Sequence, residues 1–283
     1  MPNIISTLRT ELQEHYSQRE ATSIILLVLD ELFGISQTDI YMGKDIHLSE
    51  DDEQKLKNII VRLCNSEPVQ YILGKARFYG EDFLVTPDVL IPRPETEELI
   101  ERILSQCPAP PARVLDIGSG SGCIPITLAR HWKESHIESW DISRQALEVA
   151  QSNNRKHGTH VHFILHDILC PIDWSSIPTE GFDLIVSNPP YIKNGERASM
   201  EHNVLDWEPH LALFVPDEDP LLFYRTIVEQ AIGGLLKKGG RLYFEINREH
   251  GKETVELITS KGFRQVELYP DISGNDRIVT ATL

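Results

Sequence analysis

The sequence predicts an α/β protein, in which a doubly wound, largely parallel sheet with an antiparallel last strand follows a small helical bundle. Up to residue 75 the apolar residues recur at helical spacing, whereas from Arg113 onward short apolar strands alternate with helical segments. Repeated strand–helix units imply a parallel sheet with helices on both faces. Two consecutive strands at the end of the chain indicate one antiparallel edge pair.

The composition excludes several classes of protein. The chain has 283 residues, 41% of them hydrophobic, so it can bury a substantial core rather than remain disordered. Its longest apolar run, Ile24–Leu29, is far shorter than the ~20 residues of a membrane-spanning helix, so no membrane association is expected. The four cysteines form no CxxC pair, which favours a reduced, cytoplasmic protein with free thiols.

The charge bears on the choice of partner. The formal net charge is −16, and no basic run is present to neutralise phosphates. Direct nucleic-acid binding is therefore not expected, and a basic protein partner fits better. The same charge would equally serve only to keep the protein in solution.

The first part of the chain is expected to form three or four short helices. Ile5, Leu8, Leu12 and Tyr16 recur at near-helical spacing, and Ile24–Phe33 is apolar on most sides, as in a buried helix. A further helix is predicted where Ser49 and Asp52 resemble a capping box. A segment of strand character, Arg77–Val85, follows. We expect a helical domain at residues 1–75, a linker with strand character at 76–90 and a second domain at 91–283.

Strands and helices alternate through the second domain. The expected strands are Arg113–Asp116, His136–Asp141, Val161–Leu165, Phe182–Ser187, Arg241–Ile246, Phe263–Leu268 and Arg277–Thr282. The expected helices are Ile124–Trp132, Ser143–His157, Leu221–Leu236 and residues 251–261. Lys237–Gly240 is expected to cap the third of these helices, because its glycines and positive charge suit a helix C-terminus.

A glycine-rich turn joins the first strand of this domain to its helix. The pattern is DxGxGxG, whereas the dinucleotide fingerprint GxGxxG would need a glycine at Cys123. Glycines at such a turn let the backbone approach a ligand closely. The pattern resembles motif I of class I methyltransferases, whose sheet is Rossmann-like and whose cofactor is S-adenosylmethionine. The candidate cofactor-binding residues of this turn are Asp116, Gly118, Ser119, Gly120, Ser121 and Gly122.

Two further acids lie at strand ends. Asp141 ends the second strand, where a carboxylate can accept both ribose hydroxyls of an adenosyl ligand or can simply cap the next helix. Asp167 follows the third strand. The resemblance to class I methyltransferases implies that Asp167 contacts the adenine amino group and that Ile168 packs on the ring; an ordinary loop acid is the alternative.

The motif Asn188–Pro189–Pro190–Tyr191 directly follows an apolar strand and carries the chemistry. Asn188 offers an amide oxygen, and the two prolines have carbonyls that can accept but no N–H to donate. Two acceptors can orient a planar NH₂ group toward a methyl donor, and Tyr191 can wall the site by stacking. We therefore assign Asn188, Pro189 and Tyr191 to catalysis and all four residues to substrate binding.

Three substrate classes share this motif: adenine N6, guanine N2 and glutamine N5. With Ile91–Glu97, Pro68–Gly74, Trp207–Pro209 and Gly274–Val279, it makes nearly the whole chain resemble HemK/PrmC, the glutamine N5-methyltransferases of class I peptide-chain release factors. The resemblance implies S-adenosyl-L-methionine as cofactor, with Asn188 among the residues that contact it, and the Gln of a Gly-Gly-Gln loop as substrate. Because the second domain already holds every cofactor motif, residues 1–75 are expected to recognise the protein substrate. Trp140 departs from the small residue expected before the ribose acid, and Asn247 stands where the family often has glycine.

Other interpretations remain open at this stage. Arg93 could pair with the cofactor carboxylate or with Glu97, although helix initiation explains most of its motif. Four histidines could suggest a metal site, namely His157, His160, His162 and His166, of which His160 and His162 would share a strand face. No Cys or carboxylate cluster completes a site, so no metal is expected. A nucleic-acid amino-methyltransferase is the alternative enzyme, and a catalytically silent cofactor-binding scaffold is the alternative from another class.

Overall fold

The computed structural model describes residues 4–42, 44, 47–175, 177 and 179–283. The chain divides into two compact units. The first comprises residues 1–75 with Glu201–Trp207, and the second comprises Ala76–Met200 with Glu208–Leu283. The later segment joins the first unit by a specific contact, since the indole Nε1 of Trp207 donates a hydrogen bond to the Asn65 carbonyl at 3.1 Å.

The first unit is helical, as the sequence predicts. Its helices are α1 (Ile4–Leu12), α2 (Gln18–Phe33), α3 (Gln37–Tyr41), α4 (Glu50–Cys64) and α5 (Val69–Leu73), with α9 (His202–Leu205) from the later segment. The sequence predicts three or four helices because α3 and α5 are single turns, too short to show periodicity. Residues of α1, α2 and α4 form the core: Leu8, Leu12, Ala21, Ile25, Val28, Leu29, Leu56, Ile59, Ile60 and Leu63. Ser49 caps α4 by accepting the Asp52 N–H at 3.2 Å.

The segment expected as a linker forms a β-hairpin. Its strands are β1 (Lys75–Phe78) and β2 (Glu81–Leu84). Phe78 and Phe83 pack edge to face with ring centroids 5.9 Å apart, and both are fully buried in an apolar cluster of the second unit. These two aromatic side chains therefore contribute to the core of that unit.

A seven-stranded sheet forms the centre of the second unit. Its strands are β3 (Arg113–Ile117), β4 (His136–Asp141), β5 (His162–Leu165), β6 (Phe182–Ser187), β9 (Leu236–Glu245), β10 (Arg264–Pro270) and β11 (Asp276–Thr282). The order is β10-β11-β9-β6-β3-β4-β5, and β11 runs antiparallel to both of its neighbours. The other pairs are parallel. The predicted doubly wound sheet with an antiparallel last strand is confirmed, and β7 (Ile192–Lys193) and β8 (Phe214–Val215) form a separate parallel pair.

Helices cover both faces of the sheet. They are α6 (Pro94–Gln106), α7 (Cys123–His131), α8 (Arg144–His157), α10 (Leu222–Gln230) and α11 (Gly251–Ser260). Along β6, Leu184 and Val186 belong to a buried cluster with residues of α6 and α7, whereas Ile185 belongs to a cluster with residues of α10 and α11. This alternation follows from the two-residue period of a strand, so the apolar run Leu184–Val186 contributes side chains to the clusters on both faces of the sheet.

The expectation for the end of the long helix is wrong. The α-helix ends at Gln230, a single π-helical turn spans Ala231–Leu235, and β9 begins at Leu236, so Lys237–Gly240 lies in the irregular start of a strand. Gly234 ends the turn with φ of 120°, a conformation that only glycine adopts readily. Lys237 forms an ion pair with Asp183 rather than capping a helix.

Candidate active site

Four parallel strands bring the predicted residues to one edge of the sheet. The register pairs Ile117 with Trp140 and with Ser187, and pairs Ser187 with Phe244. The next residues lie at the same level of the sheet: Gly118 and Asn188 follow the ends of β3 and β6, and Asp141 and Glu245 are the last residues of β4 and β9. Because β4 and β5 lie on one side of β3 and β6 lies on the other, the direction of winding reverses between β3 and β6. Ligands of open α/β sheets bind at this point.

The glycine turn after β3 is fixed to the end of β4. Gly118, Gly120 and Gly122 all have positive φ, at 92°, 51° and 81°. The Gly118 N–H donates to the Trp140 carbonyl at 2.8 Å, and the Gly120 N–H donates to Asp141 Oδ2 at 2.9 Å. The turn therefore needs glycine for its conformation, and the acid at the end of β4 holds it in place.

Asp141 is not the cap of the following helix. Its Oδ1 accepts the Ser143 N–H at 2.8 Å, while Ser143 itself caps α8 by accepting the Ala146 N–H at 3.1 Å. Burial raises the pKa of the Asp141 carboxyl, and the hydrogen bonds from the Ser143 and Gly120 backbone oppose that shift. Each oxygen accepts one backbone hydrogen bond and can accept another from a ligand.

A cavity of about 220 Å³ opens at this edge of the sheet. A single ordered water needs only about 10–15 Å³, so the cavity has room for an organic ligand. Ten of the predicted residues line it: Gly118, Ser119, Gly120, Ser121, Asp141, Asp167, Ile168, Asn188, Pro189 and Pro190. All of its lining residues belong to the second unit.

Three predicted residues do not line the cavity: Asp116, Gly122 and Tyr191. Asp116 is fully buried beneath the turn, where its Oδ2 accepts the Ser139 hydroxyl at 2.6 Å. Burial raises the pKa of Asp116 to about 8. The Tyr191 hydroxyl donates to Glu245 Oε1 at 3.5 Å, and its ring packs against the apolar cluster that contains Phe244. The geometry therefore does not place Tyr191 as a stacking wall of this cavity.

The Asn188–Pro189–Pro190 segment presents free acceptors at the cavity. Pro189 is buried, and Asn188 and Pro190 are half-buried. Within the described part of the chain, neither proline carbonyl accepts a hydrogen bond. Asn188 uses its amide nitrogen internally, since Nδ2 donates to Thr96 Oγ1 at 3.4 Å. Its amide oxygen and the Pro189 carbonyl remain available to a ligand.

Arg93 pairs with a residue that sequence reasoning missed. Its guanidinium forms an ion pair with Glu208, whose other oxygen accepts the Ile91 N–H at 3.1 Å. The side chain of Glu208 is only 1% exposed, so a buried carboxylate holds the segment before α6. The Trp207–Pro209 motif marked this position, but the 115-residue separation hid the partner.

Two side chains that line the cavity each have a buried polar atom without a partner. Trp140 and His166 line it with rings 4.9 Å apart, and within the described residues Trp140 Nε1 and His166 Nε2 have no hydrogen-bond partner. Leaving such atoms unpaired costs about 1–3 kcal/mol each. Sequence reasoning noted Trp140 only as a departure and considered His166 only as one of a group of histidines.

Neither a metal cluster nor a membrane span is found among the residues that the structure describes. No group of three or more His, Cys, Asp or Glu side chains there could hold a metal ion. None of the described helices is long and apolar enough to cross a membrane.

Comparisons with known proteins identify both parts of the chain. Residues 3–74 match the model of the PrmC N-terminal domain, and residues 96–206 match that of the methyltransferase small domain. Among solved structures, a methyltransferase from Pyrococcus furiosus has a TM-score of 0.51 at 16% identity, covering 80% of this chain and 98% of that one. The 16S rRNA N2 G1207 methyltransferase of Thermus thermophilus, solved with AdoMet and guanosine, has a TM-score of 0.52 at 18% identity, covering 74% of this chain and 49% of that one. At these identities the likeness shows the fold.

Curated relatives match over almost their whole length. The release factor glutamine methyltransferase of Bacteroides thetaiotaomicron is 46% identical over 99% of both chains. Those of Flavobacterium psychrophilum and Leptospira interrogans are 39% and 36% identical, over 98% and 99% of both chains. The chain therefore belongs to the family of release factor glutamine methyltransferases.

Proposed function

We propose that this protein transfers a methyl group from S-adenosyl-L-methionine to the side-chain amide nitrogen of the Gln in the Gly-Gly-Gln loop of class I peptide-chain release factors. The observation that carries the proposal is the pair of free acceptors, the Asn188 amide oxygen and the Pro189 carbonyl, at a cavity that also contains Asp141. The near-full-length relatives named for this activity support it.

The residues around the cavity fit the cofactor. Asp141 has an acceptor on each carboxylate oxygen for the ribose hydroxyls, and Asp167 and Ile168 lie in the same cavity to receive the adenine. The side chains of Trp140 and His166 also line this cavity. When bound, S-adenosylmethionine supplies an electrophilic methyl group on a cationic sulfonium.

The Asn188–Pro189 acceptors orient the substrate nitrogen. Each accepts one N–H of the planar substrate amide, so both hydrogens are held by these acceptors and one face of the nitrogen can be turned to the methyl donor. Positioning of this kind can contribute much of the rate enhancement, because an amide nitrogen is a poor nucleophile that must be held in line. The same acceptors stabilise the nitrogen as it becomes positively charged.

The first unit is assigned to substrate recognition. Every residue that lines the cavity lies at position 88 or later and belongs to the second unit, so the first unit contributes none of them.

The chain has a net charge of −16 and would repel nucleic acid on average. A protein substrate therefore fits better than the nucleic acids methylated by other enzymes with the Asn-Pro-Pro-Tyr motif.

A transfer assay with competing substrates tests this function. The purified protein is incubated with radiolabelled S-adenosylmethionine and, in parallel, with a class I release factor, with DNA and with RNA. Label should enter only the release factor, and peptide mass spectrometry should place the methyl group on the Gln of the Gly-Gly-Gln loop. A release factor with Asn in place of that Gln serves as the matched control and should stay unlabelled. Label in DNA or RNA, or at another residue of the factor, would contradict the proposal.

A further inference from the structure

A buried carboxylate lies beneath the Asn188 segment. Glu245 ends β9 with only 1% of its surface exposed. Its Oε2 accepts the Thr96 hydroxyl at 2.7 Å, and its Oε1 accepts the Tyr191 hydroxyl at 3.5 Å. Thr96 lies in the first turn of α6 and is 3% exposed. Three separate elements, namely β9, α6 and the segment after β6, thus meet at one carboxyl group.

The hydrogen bonds around Thr96 have a fixed direction. A threonine hydroxyl has one proton, and here it is donated to Glu245. The Thr96 oxygen can then only accept, and it accepts from Nδ2 of Asn188 at 3.4 Å. Burial raises the pKa of Glu245, whereas the hydrogen bonds from Thr96 and Tyr191 and the charge of Arg277 favour its ionised form. In that form the carboxylate only accepts, and Glu245 then sets the direction of both bonds. The Asn188 nitrogen is thereby held inside the protein, and its oxygen is left for the cavity.

An asparagine cannot set this direction by itself. Its carboxamide has nearly the same shape when rotated by 180°, so only its hydrogen-bond partners distinguish the two orientations. The rotated amide of Asn188 would present an NH₂ group to the substrate NH₂ group, and two donors would face each other. A partner that accepts but does not donate is therefore needed on the nitrogen side.

We propose, on the basis of the proposed function, that Thr96 and Glu245 are positioning residues that select the orientation of the Asn188 amide and so keep its oxygen directed to the substrate nitrogen. Neither residue needs to touch the reacting atoms. Glu245 accepts the Thr96 hydroxyl proton, Thr96 therefore accepts from the Asn188 nitrogen, and the Asn188 oxygen is left for the substrate. The sheet register supports the arrangement, because Ser187 pairs with Phe244, which puts Asn188 and Glu245 at the same level of neighbouring strands.

The test compares Thr96→Val with Thr96→Ser. Valine has nearly the shape of threonine but no hydroxyl, so the Asn188 nitrogen loses its acceptor, whereas serine keeps it. We expect Thr96→Val to lower the single-turnover methyl-transfer rate about three- to tenfold through lost preorganisation, and Thr96→Ser to stay within about twofold of the unmodified protein. Thr254→Val is the matched control, since Thr254 is a fully buried threonine of α11 that does not line the cavity.

A double-mutant cycle separates positioning from mere structural support. The carboxylate of Asn188→Asp has two equivalent oxygens, so its two orientations, related by a 180° rotation, are the same. Thr96→Val should then change the rate by less than about twofold. An equal loss in both backgrounds would overturn the proposal, because a structural defect would not depend on residue 188. If Asn188→Asp has no measurable rate, the serine variant decides: a rate as low as that of valine would overturn the proposal.

Calorimetric titration with S-adenosylmethionine completes the experiment. The dissociation constant should be the same for the unmodified protein and for Thr96→Val. A weakening of about tenfold or more would make Thr96 a cofactor contact and overturn the positioning role. If the unmodified protein does not methylate the Gln, the proposed function is rejected. If the unmodified protein and Thr96→Val methylate it at the same rate, only the positioning role is rejected.

Discussion

Each carboxylate oxygen of Asp141 accepts one backbone hydrogen bond and can accept another from the proposed cofactor. We expect Asp141→Ala to weaken S-adenosylmethionine binding about tenfold to a hundredfold or more, because charge-assisted hydrogen bonds contribute roughly 1.5–3 kcal/mol each. Asp141→Asn keeps one acceptor oxygen, so its affinity for S-adenosylmethionine should lie between those of Asp141→Ala and the unmodified protein. Calorimetric titration measures both constants. Unchanged affinity in a folded Asp141→Ala variant would show that the carboxylate only supports the Gly120 turn.

Asp116 predicts a pH dependence of stability. Its pKa is about 8 in the folded protein, against about 3.9 in an unfolded chain. The folded state therefore holds a proton that the unfolded state releases between these values. This stabilising contribution is fully present below about pH 4 and is lost as the pH rises through 8, with a slope of up to about 1.4 kcal/mol per pH unit.

Asp116→Asn should remove that slope. Asparagine keeps an oxygen that can accept the Ser139 hydroxyl but has no ionised form to bury. Urea unfolding between pH 5 and 8, without cofactor, should show the variant gaining free energy of unfolding relative to the unmodified protein as the pH rises. Asp51→Asn, at an exposed position in α4, is the control and should show no such trend. Parallel pH profiles for the Asp116 variant and the unmodified protein would contradict the assignment.

The turn between β3 and α7 makes a prediction at the scale of the element. Gly122 begins α7 with φ of 81°, and an added Cβ would lie 2.9 Å from Ile126 Cδ1 and 3.2 Å from Ala150 Cβ. Gly122→Ala thus combines a left-handed conformation with a clash between α7 and α8, and we expect a loss of about 2–4 kcal/mol in free energy of unfolding. Urea unfolding measures the loss, and titration should show weaker cofactor binding.

Gly158→Ala is the matched control for this turn. Gly158 ends α8 with φ of 63°, but an added Cβ would meet nothing within 4 Å. It isolates the conformational cost of about 1–2 kcal/mol and should leave cofactor affinity unchanged. Equal losses in the two variants would show that helix packing does not require glycine at 122.

The same elements show how far local sequence patterns reach. The strand Phe182–Ser187 was predicted to the residue, because a short apolar run ends at a proline motif. The end of α10 was not, since Lys237–Gly240 has the composition of a helix cap while Gly234 makes the actual break. Glu208 acquires its role through Arg93, 115 residues away in sequence, and Glu245 through Thr96 and Tyr191, 149 and 54 residues away. Such contacts depend on packing and leave no local pattern to recognise.

At the scale of the whole molecule, we expect the second unit to bind the cofactor and the first unit to recognise the protein substrate. The cavity and its polar atoms belong to Ala76–Met200 and Glu208–Leu283, and the first unit has its own apolar core. Removing residues 1–75 should therefore leave the dissociation constant for S-adenosylmethionine within about twofold and raise the KM for the release factor at least tenfold, because recognition contacts are lost while the chemistry is kept. Titration and steady-state kinetics with full-length factor measure the two effects.

The deletion also removes the partners of Glu201–Trp207, so a second variant is needed to interpret it. Trp207→Phe in the full chain abolishes the indole hydrogen bond to the Asn65 carbonyl but keeps both units. Its KM should stay close to that of the unmodified protein, whereas the deletion should not. If Trp207→Phe raises the KM as much as the deletion does, the effect belongs to the displaced segment. If the truncated chain binds cofactor normally and methylates full-length factor with an unchanged KM, the first unit does not recognise the substrate.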